Sequence, residues 1–319
     1  MQCTLAEQFH TISSATLSSI SLICSALLLT AGCTSSPLPR PQSTLSTPPA
    51  FAAVLRDDSG ARTTVEFSQD GRALRRTPGV SGFYRGQRWR VVRQTARFEL
   101  TDCDFDDEMH TEAETQHDET EVLLVRRAGH PDLMIGHPPE DGVYNSYDGR
   151  SVLIGVVGQH LMFEEHTGGY SCGAHGGSSA ELRVVDLETH RVRTSLFTPG
   201  DAATLAPARA RAFAALREID ADRIEHPDLL RPVSLRIDYT PAEPTVQVLL
   251  SAPSCYACGD GIWGSYTSSI PVEAQAPELI APTLRAPPLP LRQWVEAHEM
   301  TLLGWSTLHP DSPLAPRPD

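Results

Sequence analysis

The sequence predicts an α+β fold, mainly antiparallel sheet with two or more helices packed on one side. Apolar and polar residues alternate in many short segments, as in Thr63, Val65 and Phe67, and again from Arg88 to Leu100. Helical patterns are confined to two segments, 206–219 and 291–300. Because these helices are separated from the runs of strands, the pattern favours α+β over alternating α/β units.

The individual elements follow from local patterns. Asp70-Gly71 is a turn signal after the first alternating segment, and Leu187 to His190 forms a second turn. Segment 206–219 is rich in alanine, the best helix former, and segment 291–300 turns Trp294 and Val295 inward. Further short strands are expected at 122–126, 151–157, 159–165, 180–186, 233–239, 246–251 and 266–272.

Composition excludes one class of partner. The 319 residues carry 26 basic and 40 acidic side chains, a formal charge of −14, and every basic residue is arginine. Nucleic-acid binding requires a clustered positive surface, so no nucleic-acid partner is expected. The hydrophobic fraction of 40% is too high for a disordered chain.

Residues 1–32 resemble a bacterial lipoprotein signal peptide. The uncharged run 11–32 ends in Leu28-Leu29-Thr30-Ala31-Gly32 directly before Cys33. Its apolar core, 20–31, is too short to span about 30 Å of hydrocarbon. The resemblance implies cleavage before Cys33, a diacylglycerol on its thiol and an acyl chain such as palmitate on its amine, so the chain is expected to reach a membrane through this anchor. Thr30 and the absence of Lys or Arg in 1–10 depart from the usual signal, and a start codon downstream of Met1 is the alternative.

Downstream of Cys33 the expected organisation has three parts. Residues 33–60 form a Ser- and Pro-rich tether, 61–305 an α+β globular domain, and 306–319 a flexible tail. Thr34 replaces the Asp that retains enterobacterial lipoproteins at the inner membrane, so the outer membrane is the expected site. The protein is expected to face the periplasm.

Four cysteines remain once Cys3 and Cys24 leave with the signal and Cys33 is lipidated. They are Cys103, Cys172, Cys255 and Cys258. An even number in an exported chain favours disulfides. Of the three pairings, Cys255 with Cys258 and Cys103 with Cys172 is favoured, although all three stay open. The alternative is a zinc site formed by Cys172, His175, Cys255 and Cys258, whose spacing suits tetrahedral coordination. No cofactor is expected.

Acidic residues are concentrated in segment 102–121, where ten of twenty residues are Asp or Glu. Asp102, Asp104 and Asp106 alternate as in calcium loops, but an EF-hand requires glycine at the sixth position and glutamate at the twelfth. The favoured interpretation is a solvated acidic loop lying against the arginines of segment 85–97. A weak calcium site at the three aspartates is the alternative.

Two patterns bear on catalysis. Ser171 occupies the centre of a Gly-x-Ser-x-Gly motif, but a strand rather than a helix is predicted after it, which is the wrong context for a hydrolase nucleophile. His160, Glu164 and His166 share one face of a predicted strand and, with His175, could bind a metal. Polar residues on the solvated face of a sheet are the commoner case. The chain is therefore expected to be non-enzymatic, and an envelope hydrolase or metal-dependent enzyme using these residues is the alternative.

The segment from 164 to 197 resembles the RsiV-like domain, an extracytoplasmic module. The matching residues are Gly173-Ala174-His175-Gly176, the turn Asp186-Leu187-Glu188-Thr189, and Leu196-Phe197. Segments 254–259 and 266–271 are similar to its closing turn and strand, so the resemblance covers about residues 151–275. His190 replaces a turn glycine of the family, and the insertion 170–172 splits its glycine pair from the following motif.

The resemblance implies a binding function. In that family the module occurs in anti-sigma factors that sense lysozyme and beside deacetylase domains that act on peptidoglycan. We therefore expect a lipid-anchored cell-envelope protein that binds or senses a lysozyme-like protein or a cell-wall ligand such as peptidoglycan. Gly173, His175 and Gly176 are the expected ligand-binding residues. Acidic surface would favour encounter with a basic lysozyme, and it serves equally for solubility in the periplasm.

Overall fold

Most of the protein's structure, a computed structural model, consists of strands. The described residues are 49–101, 116–142, 144–170, 177–193, 202–219, 227–240, 244–252, 266–272 and 284–308. All of them belong to the compact unit that spans residues 47–319. Of these described residues, 58% are in strands and 14% in helices.

The strands, in chain order, are β1 (Phe51–Arg56), β2 (Arg62–Phe67), β3 (Ala73–Pro78), β4 (Val80–Tyr84), β5 (Gln87–Glu99), β6 (His117–Arg127), β7 (Leu133–Ile135), β8 (Ser146–Val157), β9 (His160–Tyr170), β10 (Gly177–Asp186), β11 (Arg191–Arg193), β12 (Arg231–Asp238), β13 (Thr245–Ala252), β14 (Tyr266–Val272) and β15 (Thr301–Thr307). The helices of the described chain are α1 (Ala202–Ile219), α2 (Leu289–Ala297) and a 3-10 turn at Pro227–Leu229.

These strands form three sheets. The main sheet has the order β11-β10-β9-β8-β15-β1-β2-β3, a four-stranded sheet has the order β4-β5-β6-β7, and a three-stranded sheet has the order β12-β13-β14. The two halves of the main sheet meet where β15 runs parallel to β8, and the pairing there consists of Gly304 opposite Val156. The other pairings recorded in the main sheet are antiparallel. The two halves of the main sheet are therefore connected by little strand pairing.

The main sheet lies between two apolar layers. Side chains alternate along β9, so that Leu161 and Phe163 point one way and Met162 the other. Leu161 and Phe163 share a buried cluster with Trp89 and other residues of the four-stranded sheet. Met162 belongs to a different cluster, formed with α1, β12 and β13. Both faces of the sheet are thus covered, which explains the continuous apolar segment at the start of β9.

The expectation of α+β with helices packed on one side is wrong. The described residues are mostly β, and their two helices belong to different parts of the core. Helix α1 packs Leu205 and Ala212 into the cluster with Met162. Helix α2 packs Leu291 and Trp294 against β1, β2 and β15. One face of the main sheet packs on the four-stranded sheet and the other on α1 together with the three-stranded sheet, so the two helices do not form one layer on one side.

The tether expected at residues 33–60 also needs correction at its C-terminal end. Segment 51–56 is strand β1, and its first five residues are buried. It pairs with β2 on one side and with β15, near the other end of the described chain, on the other. β15 itself reaches Thr307, just inside the segment expected as a tail. A strand that is buried on both faces is apolar throughout and gives no alternation for sequence analysis to detect.

No helix in the described part of the chain is long and apolar enough to cross a membrane.

Candidate ligand-binding site

Most of the residues that the sequence singled out lie outside the described residues. These are Cys33, Cys103, Cys172, Cys255 and Cys258, the aspartates Asp102, Asp104 and Asp106, and Ser171, Gly173, His175 and Gly176. The disulfide, zinc, calcium, nucleophile and glycine-loop interpretations therefore remain predictions.

The remaining predicted cluster, His160, Glu164 and His166, lies on β9, where Glu164 Oε1 contacts His166 Nε2 and His160 stays apart from both. A strand rises about 3.3 Å per residue, so His160 and His166 are separated by about 20 Å along it. His160 is 3% exposed and Glu164 8%, so this part of the face is not solvated as expected. Among the described residues, no group of three or more His, Cys, Asp or Glu side chains could hold a metal ion. The described part of β9 therefore does not provide the metal-binding geometry that the metal-dependent interpretation requires.

The turn predicted from Leu187 to His190 is present between β10 and β11. The carboxylate of Asp186 accepts hydrogen bonds from the backbone N–H groups of Glu188 (2.8 Å) and Thr189 (3.3 Å). Burial acts to raise the pKa of Asp186, but these donors outweigh it and hold the pKa below its usual value. His190 adopts φ 51°, the left-handed conformation that glycine adopts most readily.

A large arginine-lined cleft is the feature that sequence analysis missed. It has a volume of about 1230 Å³ and is walled by β2, β4, β5, β6 and β8. Among its described charged side chains one is acidic, Glu121, and the others are arginines. The arginines are Arg62, Arg88, Arg90, Arg93, Arg126, Arg127 and Arg150. In a chain with a formal charge of −14, this is a strong local excess of positive charge.

Four strands, β2, β5, β6 and β8, and an apolar floor position these arginines. Trp89 of β5, which is buried, alternates with the exposed Arg88 and Arg90, so the apolar residue anchors the strand while its neighbours reach solvent. Arg126 and Arg127 end β6, the strand paired with β5. Val80 and Leu123 are buried beside Trp89 in the same cluster. The cleft therefore has a buried apolar base with arginine side chains around it.

Some of the cleft arginines are engaged at its edges. Arg93 pairs with Glu121 at 3.1 Å, and Arg126 pairs with Asp132 at 2.8 Å. These pairs are solvent-exposed and each contributes about 1 kcal/mol or less. Arg127 donates to the carbonyl of Leu187 and lies over the ring of Tyr84 at 5.4 Å. Arg97 pairs in the same way with Glu119 at 2.7 Å. Sequence analysis expected these arginines to lie against an acidic loop, but residues 117–121 of that segment belong to strand β6, which pairs with β5.

Other cleft arginines keep their hydrogen-bond donors free. Arg88, Arg90 and Arg150 have no hydrogen-bond or ion-pair partner within the described ranges. Each guanidinium carries five N–H donors in a planar fork that matches carboxylate and phosphate oxygens. Three such side chains around one cleft provide many donors, for which the described residues offer no acceptor. Chemically, this arrangement suits an anionic ligand.

Arg62 shows that the positive charges are crowded. It is half-buried at the end of β2, where its Nε donates to the carbonyl of Leu153 and its Nη1 to the carbonyl of Gly60. Burial lowers the pKa of Arg62, and the charges of Arg56, Arg93 and Arg150 lower it further. Of these three arginines, Arg93 is paired with Glu121, whereas Arg56 and Arg150 have no ion-pair partner among the described residues. A bound anion would relieve the repulsion among the arginines.

Comparison of the chain with family models, with curated proteins and with solved structures found no match. The resemblance of residues 151–275 to the RsiV-like domain stays a prediction. Part of it falls in described segments, where Asp186 and His190 form the expected turn. The arginines of segment 85–97 are evident in the sequence, but sequence analysis placed them against the acidic loop and not around a cleft. Their alternation with Trp89 and Val91 was the signal for a charged strand face.

Proposed function

We propose that this chain is a lipid-anchored, non-enzymatic binding protein of the bacterial cell envelope that holds an anionic cell-wall ligand in the arginine-lined cleft. One observation carries the proposal: among the described residues, seven arginines and a single carboxylate line a cleft of about 1230 Å³ in an acidic chain. Clefts lined by one sign of charge concentrate ligands of the opposite sign. The ligand class is a polymer bearing repeated phosphate or carboxylate groups.

The cleft favours a cell-wall ligand over a lysozyme-like protein. Lysozymes are basic, and a basic surface would be repelled by arginines that already repel one another around Arg62. The acidic segment 102–121 was the expected docking surface for such a protein. Its described residues include Glu119 and Glu121, which are engaged with Arg97 and Arg93. A polyanion therefore fits the described charges better.

The anchor places this cleft near its ligand. In the proposal, signal cleavage leaves Cys33 at the N-terminus with its diacylglycerol and amide-linked acyl chain, and two or more chains hold the protein on a membrane. The Ser- and Pro-rich segment that follows gives the domain reach. Metabolic labelling with a palmitate analogue tests this step. Label should be incorporated by the native chain and lost in Cys33→Ser, and equal labelling of both would refute the anchor.

Binding is tested with inorganic polyphosphate, a polyanion of uniform chemistry, and the full chain purified in a neutral detergent. We expect binding at low salt that weakens as salt rises, because released counterions drive the association. The double variant Arg88→Gln/Arg90→Gln should bind at least about tenfold more weakly, the equivalent of about 1.4 kcal/mol. Isolated peptidoglycan sacculi should retain the native chain and release this variant in a pelleting assay.

The matched control is Arg75→Gln/Arg76→Gln. It removes the same charge from exposed positions on β3, outside the cleft. Polyphosphate affinity should stay close to native in this control. Equal losses in the two double variants would mean that net charge, and not the cleft, attracts the polymer. Retention of lysozyme but not of polyphosphate would favour the protein ligand and overturn the proposal.

A further inference from the structure

A second, smaller cavity adjoins the arginine-lined cleft. It is bordered by strands of both halves of the main sheet and by β12. Its volume is about 220 Å³, equal to about seven water molecules at about 30 Å³ each. Arg62, Arg150 and Val152 line both spaces, and the smaller cavity adds Arg56, Arg236 and apolar side chains of β8, β12 and β15. This space accommodates a compact group and not a length of polymer.

Two arginines of the smaller cavity are cross-strand neighbours. Arg56 of β1 is directly opposite Arg62 of β2 in the antiparallel ladder. Side chains at such positions share one face of a sheet, with Cβ atoms about 5 Å apart, and like charges there are destabilising. Arg56 has no side-chain hydrogen-bond or ion-pair partner in the described ranges. Arg62 uses two of its five N–H donors on backbone carbonyls. This pair therefore keeps two positive charges close together.

Arg150 brings a third positive charge from the other half of the main sheet. It lies on β8, and its charge, like that of Arg56, lowers the pKa of Arg62 beyond the effect of burial. The three guanidinium groups are therefore close enough to repel one another. Arg150 and Arg236 are exposed and have no side-chain partner in the part of the chain that the structure describes. Their donors are thus available to a ligand.

Glu164 is the acidic residue among the described lining, and it does not neutralise these arginines. Its Oε1 is hydrogen-bonded to Nε2 of His166, and its Oε2 is shielded from solvent. The ion pair recorded for Glu164 among the described residues is the one with His166, so none joins it to an arginine of the cavity. Four arginines against one shielded carboxylate leave the cavity with a net positive charge.

We infer that the smaller cavity binds a phosphate-sized oxyanion with two negative charges, supplied as free phosphate or as the end group of a phosphate monoester. The anion accepts hydrogen bonds from Arg56 and Arg62 of one half of the main sheet and from Arg150 of the other. Planar guanidinium donors suit phosphate oxygens, and charge-assisted bonds of this kind are the strong ones. The inference goes beyond the proposed function, because it requires neither the lipid anchor nor a polymer in the cleft.

Thermal unfolding of the full chain in neutral detergent tests the site. Sodium phosphate is compared with sodium chloride at equal ionic strength and about pH 8, well above the second pKa of a phosphate group at about 6. A ligand that binds only the folded chain stabilises it, so phosphate should raise the unfolding midpoint in a saturable way. In calorimetric titration, dimethyl phosphate, which carries one charge, should bind at least about tenfold more weakly than phosphate. Equal midpoints in the two salts would overturn the inference.

Two variants test the arginines. Arg56→Met removes one of the opposed charges, so its midpoint in chloride should equal or exceed the native one, while phosphate should bind at least about tenfold more weakly. An arginine with a purely structural role would lower the midpoint in both salts. Arg236→Met, at an exposed position, should also weaken phosphate, and it replaces Arg56→Met if that variant does not fold.

The matched control is Arg231→Met. Arg231 is exposed on β12, the strand that carries Arg236, and lies outside both cavities. This control should bind phosphate as the native chain does. Native phosphate affinity in both Arg56→Met and Arg236→Met would refute the site, and so would an equal loss in Arg231→Met.

The smaller cavity and the cleft fail separately. Arg88→Gln/Arg90→Gln should lose polyphosphate and keep phosphate, since neither arginine lines the smaller cavity. Polyphosphate binding without phosphate binding by the native chain refutes this cavity alone, and the reverse refutes the cleft alone. Phosphate is also titrated into the chain saturated with polyphosphate. Loss of phosphate binding there identifies the terminal phosphate of the polymer as the occupant, and retained binding identifies a free anion.

Discussion

The guanidinium Nε of Arg62 donates a hydrogen bond to the backbone carbonyl of Leu153 across 2.9 Å. Arg62 begins β2 and Leu153 lies in β8, so the bond joins the two halves of the main sheet. Elsewhere along this junction the strand pairing recorded is that of Gly304 with Val156. The same arginine lines both the cleft and the smaller cavity. Arg62 therefore takes part both in the two cavities and in the contact between the halves of the main sheet.

The variant Arg62→Met should lower stability in a salt-dependent way. It removes hydrogen bonds to two carbonyls, which stabilise the fold by about 1–3 kcal/mol, and it also removes repulsion from Arg56, Arg93 and Arg150. Salt screens the repulsion more than the bonds. We expect a larger loss of unfolding free energy at high salt than at low salt, measured by urea denaturation. Arg75→Met is the exposed control, and the same salt trend in both variants would contradict the assignment.

A buried ion pair on β9 and β10 should matter more than an exposed one. Arg183 Nε contacts Glu165 Oε2 at 2.6 Å, and the Glu165 side chain is 8% exposed. Arg183→Met leaves that carboxylate buried without its partner and should cost about 3 kcal/mol or more. Arg93→Met breaks the exposed pair with Glu121 and should cost about 1 kcal/mol or less. Similar denaturation midpoints for the two variants would rule out this ranking.

His160 should make the fold less stable in mild acid. Burial lowers the pKa of this imidazole, although the nearby carboxylate of Asp186 acts in the opposite direction. The unfolded chain takes up a proton at about pH 6.5, where the folded chain still resists it. Unfolding free energy should therefore fall as the pH drops below about 6.5 and level off below the folded-state pKa.

The variant His160→Gln removes this titration. Its unfolding free energy should change less than that of the native chain between neutral pH and mild acid, as measured by urea midpoints. His117→Gln, at an exposed position that begins β6, is the control and should keep the native profile. An identical pH profile for the native chain and His160→Gln would show that the buried imidazole does not contribute.

Gly304 should be intolerant of any side chain. A Cβ at this position would overlap the carbonyl oxygen of Val156, a backbone atom that cannot move aside. Gly304→Ala should therefore separate β15 from β8 at their recorded pairing and lower the unfolding temperature. Hydrogen exchange should increase in both strands. Ser306→Ala on the same strand is the control and should keep native exchange. Faster exchange in Ser306→Ala but not in Gly304→Ala would contradict the close packing of Gly304 against Val156.

Sequence reasoning located the strands well wherever the signal was local. The alternation in 88–100, the apolar segment 151–157 and the turn after Asp186 correspond to β5, β8 and the β10–β11 connection. It failed for β1, assigned to the tether, because the partners of that strand include β15 at the far end of the described chain. It also failed for the packing of the helices, since alternation does not reveal which layer covers each face.

The arginine-lined cleft also shows which features local sequence patterns reveal and which they do not. Arg88 and Arg90 were visible as an alternating pair, and their exposure follows from the burial of Trp89 between them. Nothing local indicates that Arg62 and Arg150 lie beside the same cavity, because they come from β2 and β8. The local pattern was sufficient for strand identity, excess negative charge and the expected lipid anchor. Only the packing of the sheets brought the arginines together, since strands that are distant along the chain can share one surface. The like charges lie close to one another because the burial of their apolar neighbours outweighs the electrostatic repulsion.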